Sequence, residues 1–328
     1  MRRRDVIAGL GGAAILPTAG WSQADKRRRL GILLVYGAAH PDSPVIVETL
    51  RASLRGHGWI WGQNLAVDLQ FGDGDTEKMG KQTEDMLARQ PDIVLAQGVV
   101  GTTVLQRATK TTPVVFMMLQ DPVGAGFVSS LSHPDGNLTG FTNFDFSLVG
   151  KWLQLLKELS PETGRALALI NPDYPARLAG YTAELARIGP ELGIDARIAG
   201  IHDAPEIERA VTAFAKEPRG GLIVLPDAVT GIHGPQIIAL AAAHRLPAVY
   251  AYEAQIRQGG LAAYTTSVAQ EVGRAAGYID RILRGASVGS LPVQAAARFL
   301  TVINVRTAAT LGLTISPSLM AKADELIE

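Results

Sequence analysis

The chain of 328 residues contains no cysteine. This absence excludes disulfide bridges, thiolate metal sites, a cysteine nucleophile and an N-terminal lipid-modified cysteine. An excess of charge of one sign is also missing, because 31 basic residues balance 31 acidic ones. A nucleic-acid partner would demand a basic face, which this balance does not indicate. The composition therefore favours a small or neutral partner.

Motifs of common enzyme classes are missing as well. The first predicted strand leads into residues 37–41 (GAAHP), where a dinucleotide-binding enzyme carries GxGxxG. Residues 74–81 are similar to the sequence motif of a phosphate-binding loop. The segment is one residue too long, however, and Gln82 stands where the motif requires Ser or Thr. There is no GxSxG, and the six histidines are scattered without an HExxH pair. We therefore expect no catalysis, no metal centre and no cofactor.

The first 24 residues have the pattern of an export signal. Three arginines at positions 2–4 precede an apolar run at 6–16, and the small residues Ser22 and Ala24 on either side of Gln23 predict cleavage after Ala24. The apolar run is shorter than the roughly 17 residues that a spanning helix needs, so we do not expect a membrane anchor. The order Arg3-Arg4-Asp5 resembles a twin-arginine signal, with an ordinary secretory signal as the alternative. The pattern predicts a periplasmic location.

From residue 29 onward, short apolar runs alternate with longer stretches of helical period, which is typical of parallel strands joined by helices. The class is therefore α/β. Predicted strands lie at 30–36, 65–71, 93–97, 114–119, 166–170, 195–199, 222–225 and 248–250. Predicted helices lie at 43–56, 76–90, 102–110, 148–159, 176–192, 205–216, 235–244 and 268–284. The glycine-rich stretch 121–143 is predicted to connect two lobes, and residues 268–304 are long enough to return to the first.

Five segments together carry a family resemblance. They are 120–128 (QDPVGAGFV), 137–141 (NLTGF), 221–227 (GLIVLPD), 244–250 (HRLPAVY) and 308–313 (AATLGL). In order and spacing they resemble the ABC transporter substrate-binding family related to tryptophan- and tyrosine-binding proteins, over essentially all of residues 29–328. The resemblance implies a type I periplasmic-binding fold, with two doubly wound parallel-sheet lobes, a multi-strand hinge and a ligand buried in the cleft.

The expected lobes follow from that fold. Residues 25–141 with about 265–298 make the N-terminal lobe, and residues 142–264 with about 299–328 make the C-terminal lobe. The expected function is the solute-binding component of an ABC importer, which closes on a small organic solute and delivers it to a permease in the inner membrane. The alternative is a ligand sensor of the same fold that presents its solute to a membrane receptor. A transcriptional regulator would need a DNA-binding segment where the export signal lies.

Candidate ligand contacts follow from the position of strand ends. In open α/β sheets, small molecules bind outside the carboxyl ends of the strands, so the residues after each apolar run are the candidates. They are Tyr36, Gly37, Gln97, Gly98, Thr102, Gln120 and Asp121 in the first lobe, and Asn143, Asn171, Asp173, Asp227, Tyr252 and Glu253 in the second.

The candidates divide by chemistry. A helix start near Gly98 suits a carboxylate, Asp121, Asp227 or Glu253 suits an ammonium group, and Tyr36 or Tyr252 suits an aromatic or cationic body. The aspartates and asparagines equally suit the capping of turns and helices. In the family the loop at 98–100 commonly reads Gly-Thr-Pro, whereas this chain has Gly98-Val99-Val100. The lost hydroxyl weakens the case for an amino acid and favours an aromatic acid or a less polar solute.

Overall fold

A computed structural model describes residues 27–328. The predicted export signal lies outside these residues. Within them the chain forms two α/β lobes of the doubly wound kind that the sequence predicts, each a largely parallel sheet with helices packed on it. Most predicted strands and helices agree with the structure to within two residues at each end. The apolar runs are long because the central strands are buried on both faces.

The first lobe contains a five-stranded parallel sheet in the order β2-β1-β3-β4-β5. Three helices connect its strands, and a later helix, α10, returns to pack against α1. Its elements are β1 Arg28–Leu34, α1 Asp42–Gly56, β2 Leu65–Phe71, α2 Thr76–Ala88, β3 Ile93–Gln97, α3 Gly98–Ala108, β4 Val114–Leu119, β5 Leu138–Thr142 and α10 Val268–Leu283.

The second lobe contains a seven-stranded sheet in the order β12-β11-β10-β9-β8-β6-β7. Its strands are parallel except for the antiparallel pair β10 and β11. Its strands are β6 Arg165–Ile170, β7 Asp195–Gly200, β8 Gly220–Val224, β9 Ala248–Tyr250, β10 Ala262–Thr266, β11 Phe299–Asn304 and β12 Glu325–Ile327. Its helices are α4 Leu148–Leu159, α5 Pro175–Ile188, α6 Ala204–Phe214, α7 Ala228–Ile232, α8 Gly234–Ala243, α9 Glu253–Arg257, α11 Val305–Thr310 and α12 Pro317–Lys322.

The stretch 121–143 corrects one prediction, because it does more than connect the lobes. Its last part is β5, the fifth strand of the first sheet. Gly140 has φ 155°, and a Cβ there would overlap the backbone of Phe116 on β4. A glycine inside a short apolar run weakens the sequence signal for a strand. The sequence therefore predicted only a connection between the lobes here, and no strand.

The chain passes between the two sheets at three places within residues 27–328. It leaves the first lobe after β5, returns between β10 and α10, and leaves again before β11. The second and third crossings are residues 266–267 and about 295–298. A single apolar cluster runs from the first lobe through Phe141 and Phe144 into the second. The lobes are therefore joined by a multi-strand hinge with a shared apolar core.

Candidate functional site

Strand ends from both sheets meet at the cleft between the lobes. β1, β3 and β4 end there from the first lobe, and β6, β8 and β9 end there from the second. The space that remains is a cavity of about 40 Å³, enough for about three water molecules. It is lined by Val35, Tyr36, Gln97, Gly98, Val99, Val100, Met118 and Gln120 from the first lobe, and by Asn171, Tyr174, Arg177, Pro226, Asp227, Ala228 and Tyr252 from the second.

Many of the candidate residues lie on this cavity. They are Tyr36, Gln97, Gly98, Gln120, Asn171, Asp227 and Tyr252. The side chain of Gln120 spans the cleft, because its Nε2 donates to the carbonyl oxygen of Pro226 at 3.1 Å. Gln97 is held inside its own lobe, where its Oε1 accepts from the backbone N–H of Val35 at 3.1 Å. The strand-end rule therefore brings residues of both lobes to one place, and their contact with a solute stays a prediction.

Asp121 and Asp173 lie on a wider pocket beside the cavity, with a volume of about 370 Å³. Asp121 also holds a turn, because its Oδ1 accepts from the backbone N–H of Gly124 at 2.9 Å. Asp173 lies 3.1 Å from Nε2 of His202. The cavity and the wider pocket share Val99, Gln120, Tyr174 and Arg177.

Two candidates in the first lobe do not line the cavity. Thr102 was expected at a helix start, but α3 begins at Gly98 and places Thr102 in the second turn. There its hydroxyl donates to the carbonyl oxygen of Gly98 at 2.7 Å, and the side chain is fully buried. Gly37 lies past the end of β1, and its carbonyl oxygen accepts from the hydroxyl of Ser43 at 2.8 Å. Both residues therefore lie off the surface of the cavity.

Two candidates in the second half also lie away from the cavity. Glu253 begins α9 and forms an ion pair with Arg257 at 2.6 Å. Asn143, directly after β5, is buried, and neither atom of its amide group has a hydrogen-bond partner. Asn143 lies at the first crossing between the lobes.

Arg177 is the main residue of the cavity that sequence reasoning missed. It lies in the first turn of α5, is buried, and forms an ion pair with Asp227 across the floor of the site. Its guanidinium also lies over the ring of Tyr174, 5.0 Å from the ring centroid. A cation in the first turn opposes the helix dipole. That unfavourable position was a usable signal in the sequence.

Asp227 combines the two roles that the sequence left open. Its Oδ1 accepts from the backbone N–H of Val229 at 2.7 Å and so caps α7. Its Oδ2 pairs with Arg177. Because both charges are buried, each depends on the other for compensation. The pair leaves the floor of the cavity polar but neutral.

Two buried tyrosines form the wall opposite the Arg177–Asp227 pair. The side chains of Tyr36 and Tyr252 come from different lobes, and burial raises the pKa of both phenols. The ring of Tyr36 stacks on His40 with 3.8 Å between centroids. Burial lowers the pKa of His40, and a hydrogen bond to the backbone of Gly231 opposes that shift. Both rings therefore stay uncharged at neutral pH.

No helix of residues 27–328 is both long and apolar enough to cross a membrane. In the same part of the chain, no three His, Asp or Glu side chains come together as metal ligands would.

Residues 34–327 match the sequence model of the family of ABC transporter substrate-binding proteins. The chain belongs to this family. This substrate-binding protein is 24% identical over 317 residues to the tyrosine-binding protein of Clostridioides difficile strain R20291. That alignment covers 92% of this chain and 89% of the relative.

Solved structures share the fold of this substrate-binding protein. A conserved domain protein of Vibrio cholerae is 26% identical, with a TM-score of 0.84 over 92% of this chain and 100% of that one. The ABC domain of Streptococcus pneumoniae in complex with L-Trp is 23% identical, with a TM-score of 0.84 and the same two coverages. A ligand-free, open substrate-binding protein of Clostridium difficile is 20% identical, with a TM-score of 0.68 over 92% of this chain and 99% of that one. The type I periplasmic-binding fold is therefore shown.

The site of this substrate-binding protein retains hydrogen-bonding capacity that its own residues do not use. The Oε1 atom of Gln120 and the Nε atom of Arg177 are buried without a partner. Gln97, the N-cap of α3, makes no side-chain capping bond, so the first N–H groups of that helix are not capped by it. Buried polar groups normally have partners. These donors and the acceptor are suited to a polar solute.

Proposed function

We propose that this chain is the extracytoplasmic solute-binding component of an ABC importer, and that it catalyses no reaction. Membership of the family and a cavity between two hinged lobes support the proposal. The export signal predicted at residues 1–24 supports a periplasmic location, where the protein would deliver its solute to a permease in the inner membrane. The lobes would divide at the boundaries expected from the sequence, near residues 141, 265 and 298.

The solute we propose is a small organic molecule, either an amino acid or an aromatic or other organic acid. The observation that carries this proposal is the buried Arg177–Asp227 pair beside unpartnered polar atoms. A carboxylate would bind the guanidinium of Arg177 and the start of α3, where backbone N–H groups favour anions. An ammonium group would bind Asp227 and the free oxygen of Gln120. The names of two relatives, for tyrosine and L-Trp, support an amino acid.

The apolar part of the cavity supports an aromatic body. Val99, Val100 and Met118 line it from the first lobe, and the rings of Tyr36 and Tyr252 complete the wall. A cavity of about 40 Å³ is too small for an aromatic amino acid. The solute would therefore enter an open form, and the hinge would close the lobes around it. The closed form would gain stability only from contacts that the open form does not make.

A thermal-shift screen tests this function. We expect at least one L-amino acid, aromatic acid or other organic acid to raise the apparent stability, by about 2.7 kcal/mol at a hundredfold excess over its dissociation constant. Arg177→Met should lose this response, because the carboxylate of the solute loses the cation that it would bind. Arg187→Met is the matched control, since Arg187 lies on the same helix but pairs with Glu184 at the surface. It should respond like the wild type.

Two results would count against the proposal. A folded Arg177→Met variant that responds like the wild type would remove the cavity as the binding site. No response to any compound of the panel would exclude the proposed solute classes.

A further inference from the structure

Glu271 is a buried carboxyl group at the hinge, away from the cavity. It lies in the first turns of α10, next to the second crossing between the lobes, and is 3% exposed. Its Oε1 accepts a hydrogen bond from the hydroxyl of Thr266, the last residue of β10. Its Oε2 is buried without a partner. An unsatisfied carboxylate oxygen in the interior is costly, so its retention calls for a physical explanation.

The same carboxyl group reaches the wall of the cavity through Met118. The helix that carries Glu271, α10, packs directly against β4, the strand that carries Met118. Met118 has φ 55°, in the left-handed region that a methionine rarely adopts, and lies at a break in the register of β4 with β5. Its side chain lines the cavity, where its sulfur lies 3.6 Å from Nε2 of Gln97. Backbone in such a conformation persists only when its surroundings hold it.

A continuous path of contacts therefore joins the hinge to the site. It runs from Thr266 on β10 through Glu271 on α10 to the adjacent strand β4, where Met118 contacts Gln97 on the cavity wall. We propose that Glu271 is a positioning residue that ties the cavity wall to the hinge, so that solute affinity depends on Glu271 although it touches no solute. This inference rests on the proposed closure of the lobes around a solute.

The position of Glu271 makes its protonation sensitive to closure. It lies between the second and third crossings, in a small space lined also by Thr266, Ser267 and residues 296–298. Bending at these crossings would admit water to the carboxyl group. The neighbouring charged groups are Arg274 on α10, bound to Gln294 at 2.7 Å, and Arg298, bound to Asp324 at 2.5 Å. The one acidic group among these neighbours, Asp324, is paired with Arg298, and burial dominates the ionisation of the carboxyl group.

The sign of the pH dependence follows from that burial. Burial raises the pKa of Glu271 from 4.5 to about 7, against the hydrogen bonds of Thr266 and Met118 and the charge of Arg274. In an open, hydrated form the pKa would lie nearer its ordinary value. The closed form is then most favoured when the carboxyl is protonated. Its advantage falls as pH rises above about 4.5 and is fully lost above about 7.

The experiment compares the wild type with Glu271→Gln, which keeps the shape and a hydrogen-bond acceptor but cannot ionise. L-tyrosine is the probe, and its dissociation constant is measured by calorimetry at pH 5.5 and 8.5. We expect weaker binding by the wild type at pH 8.5, about tenfold for each unit by which the pKa of the closed form lies above 5.5. Glu271→Gln should lose the part of this change that Glu271 causes, and so its two dissociation constants should differ much less. The control Glu84→Gln, at an exposed position of α2, should follow the wild type.

A second measurement needs no solute. The chain has no cysteine, so Lys81→Cys with Glu208→Cys places one spin label on each lobe. We expect the distance between labels to lengthen from pH 5.5 to 8.5 in the wild-type background and to lengthen clearly less with Glu271→Gln. Titration of His40 and Asp42 at the lobe contact is common to both backgrounds, so the difference between them isolates Glu271.

The two measurements separate the failure of this inference from the failure of the proposed function. Absence of L-tyrosine binding would count against that solute, while the label distances would still decide the role of Glu271. The inference would be overturned if the label distance and the affinity of Glu271→Gln changed with pH as much as those of the wild type.

Discussion

At the scale of residues, the buried ion pair of Arg177 and Asp227 defines the site. Arg177 lies in the first turn of α5 and Asp227 follows β8, and the fold brings the two side chains together in a space too small for bulk water. An ion pair of this kind gives little net stability, but the loss of one partner leaves an uncompensated buried charge. The pair is therefore better suited to exchange with a charged solute than to stabilising the lobe.

Substitution of this pair should show strong non-additivity. We expect Arg177→Met to lower the free energy of unfolding by about 3–5 kcal/mol, because the carboxylate of Asp227 stays buried without its cation. Arg177→Met with Asp227→Asn should recover most of that loss, since Asn retains an oxygen to cap α7. Urea unfolding of both variants and of Arg187→Met measures the effect. Equal losses in the single and the double variant would contradict it.

At the scale of elements, β5 shows how one glycine permits a strand. The strand is short and pairs with β4 where Gly140 passes close to the backbone of Phe116. On its other side, residue 294 of the third crossing region pairs with it, through the N–H of Thr142 and the carbonyl oxygen of Gly140. β5 thus connects the sheet of the first lobe to the hinge.

Two glycine substitutions should have opposite effects. Gly140→Ala should lower the midpoint of thermal unfolding, because the added Cβ meets backbone that has no room to move. Gly80→Ala, in the interior of α2 with open space beside it, should stabilise the chain by about 0.5–1 kcal/mol through its better helix propensity. Calorimetry of both variants is the measurement. A Gly140→Ala variant as stable as the wild type would show that β5 tolerates a side chain there.

At the scale of the whole molecule, the lobes contact each other through more than the cavity. The short helix α7 of the second lobe lies against the first, with Ile232 packed over Gly74 and Gly231 against the ring of Tyr36. These contacts close the cleft without a solute. They set how much of the closed form exists before binding.

Removal of this contact should favour the open form. Ile232→Ala deletes apolar surface that is buried only when the lobes meet, so we expect a larger radius of gyration in solution scattering without solute and weaker solute binding. Ile238→Ala is the matched control, because Ile238 packs within the second lobe. It should lower stability without changing the radius. An unchanged radius in Ile232→Ala would show that α7 does not hold the lobes together.

The sequence by itself determined the α/β class, the two lobes and the edge of each sheet where the site lies. β3 and β4 have the predicted bounds because their apolar runs end abruptly at polar residues. It also placed Tyr36, Gln120, Asp227 and Tyr252 beside the cavity, since a residue that follows a strand must lie at the sheet edge, and their contact with a solute stays a prediction. The hydrophobic periodicity of the sequence and the residue types at the ends of its apolar runs were sufficient to predict these features.

Tertiary structure decided the rest. The sequence did not predict strands β10 to β12 or the short helices around them. Such short segments are defined by the strands with which they pair, and not by a hydrophobic period in the sequence. Thr102 was misplaced because α3 starts a turn earlier than its hydroxyls suggested. Glu271 lies inside a helix, where sequence spacing does not tell which way a charged side chain points, and Arg177 was marked only by its unfavourable place in the first turn of α5. Their roles arise only when the two lobes close off water, since burial is what makes an ion pair or a carboxyl group sensitive to its neighbours.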